Sequence, residues 1–125
     1  MLESAGTTES LPPESVQLAI SEAVVDDLPR TIAELARLVR IPSVSWDGFD
    51  PAHVQESAEA VAHLLRDLDV FETVQIVRAA TPSGALGQPA VLARRAARAG
   101  KPTIRLYAHD DAQPPGVYAT LERPP

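Results

Sequence analysis

The stretch Leu106-Tyr107-Ala108-His109-Asp110-Asp111-Ala112-Gln113-Pro114-Pro115-Gly116 joins the end of an apolar run to a polar triplet and a proline stop. Ile104 and Leu106 alternate with polar or small neighbours, which predicts a strand over Thr103 to Ala108. Pro114 and Pro115 cannot continue a central strand, because proline has no N–H to give to the ladder. His109 and Asp111 then fall just past the carboxyl end of that strand, the edge at which open α/β sheets bind ligands. A histidine there would offer one ring nitrogen to a metal. A neighbouring carboxylate would take the other N–H, fixing the tautomer. The spacing alone is more readily that of a solvated polar turn, since isolated His-x-Asp triplets are common.

Upstream, Gly100-Lys101-Pro102 is a turn signal and Ala90 to Ala96 reads as a second strand. Thr81 to Gln88, with Pro82, Gly84 and Gly87, reads as a loop. Val74 and Ile76 suggest a short first strand. The clearest helix begins at Asp50, an N-cap, with Pro51 at its first position. Val54, Ala58, Val61, Leu65 and Leu68 form its apolar stripe, and Glu56, Glu59, His63 and Arg66 its polar face. The loop from Ile41 to Phe49 precedes it, with Trp46 and Phe49 expected to pack beneath. An earlier helical pattern starts near Glu14. Pro29 marks a start or kink within it, and Leu28, Ile32, Leu35 and Val39 follow at helical spacing until Pro42 ends it. Asp26 and Asp27 would be capping or first-turn residues. Met1 to Pro13, rich in Ser, Thr, Glu and Pro, reads as a flexible tail. Two helices followed by three strands predict an α/β layer structure.

Composition narrows the function. The 125 residues are 45% hydrophobic and carry a formal charge of -6, which suits a globular domain and argues against nucleic-acid or polybasic membrane-surface binding. With no cysteine, a zinc site would have to use His, Asp and Glu. The N-terminus lacks the pattern of a signal peptide, and no apolar run approaches the roughly 20 residues of a membrane span, so a cytoplasmic setting is expected. His53, Glu56 and His63 read as surface residues of an amphipathic helix. Ser43 and Ser45 read as loop residues, because neither stands in a Gly-x-Ser-x-Gly elbow. The dipeptide His109-Asp110 does not indicate an HD-type phosphohydrolase, whose sites are helical.

Leu106 to Gly116 resembles the first metal-binding motif of M20 metallopeptidases. It is closest to the dipeptidase branch typified by carnosine dipeptidases, whose version reads approximately Leu-Tyr-Gly-His-Tyr-Asp-Val-Gln-Pro. Ile41-Pro42-Ser43-Val44-Ser45 is similar to a motif these enzymes carry after their first helix. Leu121-Glu122-Arg123-Pro124-Pro125 lies where the family often has Trp-x-Ser-Pro-Pro-Phe. The resemblance covers roughly Val25 to Pro125 and implies the N-terminal portion of a zinc-exopeptidase-like catalytic domain with a mixed sheet. His109 would be a zinc ligand, and Asp111 the carboxylate of the catalytic centre that orients and polarises it. Asp110 stands at a variable position and has no assigned role, and Ala112 replaces the usual Val. Arg105 stands where a buried strand has an apolar residue, and would need a partner if buried.

The same resemblance implies two zinc ions bridged by a carboxylate, a general-base glutamate paired with a ligand glutamate, a further acidic ligand and a distant histidine. The two metals would activate a water and polarise the scissile carbonyl, and a glutamate would carry the proton to the leaving amine. The sequence has no Glu-Glu pair and no histidine after His109. We therefore expect a tail over 1–13 and an incomplete catalytic domain over 14–125, without the dimerisation and lid domain through which family members often form homodimers. Such a fragment would be inactive alone. The implied substrates are dipeptides or, for an M20-type deacylase, N-acyl amino acids. A non-catalytic module that binds a partner through open sheet edges is the other reading.

Overall fold

The computed structural model describes residues 11–114. The features expected over Met1 to Ser10, at Pro115 and Gly116, and over Leu121 to Pro125 lie outside them. The chain divides into two compact units, Met1–Leu35 and Ala36–Pro125. Among the described residues no helix is long and apolar enough to cross a membrane.

Helix α1 runs unbroken over Glu14–Val39, with Pro29 inside it. Of the two expectations for Pro29, a helix start or a kink, this excludes the start. Proline's fixed φ is compatible with helix, and its cost is one lost hydrogen bond and a local clash rather than an obligatory break. Asp26 and Asp27 are consequently helix-interior residues and not caps. Asp27 forms a fork with Arg30, its Oδ1 and Oδ2 at 2.7 and 2.6 Å from Nε and Nη2, and Arg30 also reaches Glu34 at 2.8 Å. The Arg30 hydrogen bond holds the Asp27 carboxyl below its usual range, against an opposing effect of desolvation. These are exposed i,i+3 and i,i+4 pairs, each a small stabilisation. The apolar residues at helical spacing are not buried: Leu28, Ile32, Leu35 and Val39 remain 49–72% exposed.

Helix α2 spans Pro51–Asp67. Asp50 caps it as its sequence requires, its side chain accepting from the Ala52 amide at 2.9 Å. The buried face is Val54, Ser57, Ala58 and Ala62. Val61 and Leu65 are only half-buried and Leu68 is exposed, so the apolar stripe is rotated toward the small residues. Ala58 and Ala62, both 0% exposed, stand four apart with nothing beyond Cβ, which permits a close approach of neighbouring backbone.

That neighbour is a two-stranded antiparallel sheet, β1 (Thr73–Val77) and β2 (Ala90–Arg94). Val74 faces Ala93 and Ile76 faces Val91, and these four are partly covered, as is Val77 at the end of β1. They form one face of the sheet, as period-2 alternation demands, and α2 packs on the sheet. Arg78 links the layers, donating to the Gln55 side chain at 2.8 Å and to the Gly87 carbonyl at 3.0 Å. The connection between the strands closes on Gly84 at φ +83°, and the Gly87 amide donates to Ala79 at 2.8 Å. Gly100, at φ +75°, makes the turn expected there.

The third strand is not formed. Residues 101–111 carry no ladder partner, and Ile104, Leu106 and Tyr107 are 78–91% exposed. Alternation supplies a face to bury, but a strand also needs a neighbour to take its N–H and C=O groups. Arg105 is exposed rather than buried, so it does not need the partner that burial would require. The outcome is a small mixed helix-and-strand arrangement, with a two-stranded antiparallel sheet in place of a three-stranded mixed one.

Candidate functional site

The two sequence motifs meet in space. The chain around Ser43 lies beside the chain around Asp111: the Ala112 amide donates to the Ser43 carbonyl at 3.0 Å, and Val44 and Ala112 form an isolated parallel bridge. Pro42 interrupts helical geometry at this point, and two tight turns follow, the Ser43 amide donating to the Ile41 carbonyl at 2.8 Å and the Val44 amide to the Pro42 carbonyl at 2.9 Å. Ser43 and Ser45 both hold the second segment.

Three serines do the holding. Ser43, 1% exposed, donates its hydroxyl to the Asp110 carbonyl at 3.3 Å and accepts from the Ala112 amide at 3.2 Å. Ser57, also 1% exposed, donates to the same Asp110 carbonyl at 3.1 Å from α2. Ser45 donates to Asp111 Oδ2 at 2.6 Å, a short charge-assisted bond. The other Asp111 oxygen, Oδ1, stands 3.4 Å from His109 Nδ1. On the far side of the ring the Tyr107 hydroxyl lies 3.3 Å from Nε2, with the two rings edge to face at 5.3 Å.

Asp111 is held below the usual carboxylate range, first by the Ser45 hydroxyl. Partial burial works against this, and its own backbone amide and His109 add to the lowering. A depressed folded-state pKa stabilises the folded form at pH above the unfolded value, near 3.8, and that contribution disappears as pH falls through the folded value. Unfolding midpoints in urea should therefore drop as pH is lowered through and below about 4. Asp111→Asn should flatten that part of the profile; an unchanged slope in the Asn variant would show that Asp111 does not contribute to it.

The expected site residues are thus partly assembled. His109 and Asp111 come together, with His109 exposed and Asp111 partly covered. Among the described residues no group of three or more His, Cys, Asp or Glu side chains converges. His109 and Asp111 fit one ligand with its orienting carboxylate, short of the three protein donors of a catalytic zinc. His53 pairs with Glu56 at 3.3 Å and His63 with Asp67 at 3.6 Å along the exposed side of α2. Trp46 and Phe49, expected under the loop, are 58% and 42% exposed. Sequence reasoning missed Ser57 and the anchoring roles of Ser43 and Ser45. The available signal was the i,i+2 pair of serines after a helix-ending proline. No family model, curated protein or solved structure matches the chain.

Proposed function

We propose that this chain carries the first metal-ligand corner of an M20-type hydrolase acting on amide bonds of dipeptides. The observation that supports this reading is the tethered carboxylate beside His109: Asp111 bonded to Ser45 at 2.6 Å and turned toward Nδ1 at 3.4 Å. An ionised carboxylate only accepts hydrogen bonds. It keeps the proton on Nδ1 and leaves Nε2 as the nitrogen that offers a lone pair. Tyr107, 82% exposed, is free to turn away from Nε2. Zinc bound there would supply a Lewis acid and an acidified water. Two such ions, further acidic ligands and the general-base glutamate belong to the reading by resemblance, as do homodimers, and a cytoplasmic setting is proposed beside it. The sequence Gln113-Pro114-Pro115 after the motif favours a dipeptidase over a deacylase of N-acyl amino acids. A non-catalytic, partner-binding role is supported by a different observation, the exposed segment 103–108 with Leu106 at 91%.

Calorimetric titration of the 125-residue chain with zinc tests the reading. Weak binding is expected, because one imidazole does not hold zinc tightly against water, and His109→Ala should weaken it further. Tight stoichiometric binding that survives His109→Ala would place the metal elsewhere and overturn the assignment.

A further inference from the structure

We infer that Ser45 is a positioning residue that sets the tautomer of His109 by holding Asp111. Its use in metal binding rests on the reading above, but its geometry does not. Ser45 Oγ fixes one carboxylate oxygen at 2.6 Å, so the other, 3.4 Å from Nδ1, cannot rotate away without breaking that bond. Ser45 is itself held: it follows Val44, which is 4% exposed and bridged to Ala112, and its carbonyl accepts from the Gln88 side chain at 3.4 Å.

One ring contact of His109 calls for a particular tautomer. The carboxylate accepts only, so the Asp111 oxygen beside Nδ1 favours the hydrogen there. Nε2 then has a free lone pair, and the Tyr107 hydroxyl, 3.3 Å away, can serve either tautomer by donating or accepting. Water alone gives no such preference and leaves a free imidazole mainly with its hydrogen on Nε2. The fold therefore reverses the intrinsic tautomer, and Ser45 reaches the ring only through Asp111.

The test is nitrogen NMR of the metal-free full chain at a pH where the imidazoles are neutral. His109 should show the Nδ1–H pattern, and His53 and His63 serve as internal references. Ser45→Ala should shift the His109 tautomer ratio toward Nε2–H by roughly fivefold, the worth of one hydrogen bond. Ser45→Thr, which keeps the hydroxyl, should hold the original ratio. In an Asp111→Ala background the Ser45→Ala change should have no further effect, because the two act in series. An unchanged ratio in folded Ser45→Ala overturns the inference, as does a folded Ser45→Thr protein with the shifted ratio. An additive effect in the double variant would overturn the route through Asp111. Failure of zinc binding with the tautomer pattern intact would count against the metal reading and leave this inference standing.

Discussion

The double variant Ser43→Ala/Ser57→Ala is expected to lose about 3 kcal/mol of folding stability and to release the turn that carries His109 and Asp111. The two hydroxyls make three hydrogen bonds to this turn: two from Ser43, to the Asp110 carbonyl and from the Ala112 amide, and one from Ser57 to the same carbonyl. Each is worth about 1 kcal/mol net. Both side chains are 1% exposed, so water does not readily take their place, and alanine keeps the packing nearly unchanged. The two serines share one acceptor, so their effects are coupled rather than independent. Either single variant leaves the carbonyl with one donor, and the second removes the last. Urea unfolding with an unchanged slope should report the loss, and exchange of the Ala112 amide should accelerate. A double variant within about 0.5 kcal/mol of the parent would show that the loop does not hold the turn.

Pro29→Ala is expected to have an effect of similar size and opposite sign. Proline in a helix interior is about 3 kcal/mol less favourable than alanine, through the missing donor to the carbonyl four residues back and the clash of its ring with that turn. α1 has no buried side chain, so its stability rests on local terms, chiefly propensity, capping and the Asp27–Arg30–Glu34 pairs. Removing the proline should slow amide exchange around Val25 to Ile32 by up to about 100-fold. Equal exchange in the two proteins would mean that α1 does not remain helical through residue 29.

The elements legible in the sequence are those whose signal is local. Asp50-Pro51 announces α2 because a cap and a first-turn proline act on their own neighbours. Val74, Ile76 and Val91 mark β1 and β2 because alternation and a glycine-containing turn suffice for a hairpin-like pair. The illegible features depend on partners distant in sequence. Thr103 to Ala108 has the pattern of a strand, yet its backbone finds no ladder among the described residues. Ala62 and Ser57 are buried on a helix that meets the sheet and, at Ser57, the turn at Asp110, and small residues leave almost no mark in a hydropathy pattern. At the site, the residue types of His109 and Asp111 were readable. The serines that hold them were not, because a serine's anchoring role exists only once residues 43 and 110 are adjacent.

Zinc added to the folded chain while all three histidine side chains are followed by NMR tests most directly whether His109 and Asp111 form a metal-binding corner. His109 is expected to respond first and through Nε2, with Nδ1 keeping its hydrogen beside Asp111, while His53 and His63 change only at higher zinc. A uniform response of the three histidines, or a His109 response through Nδ1, would contradict the account.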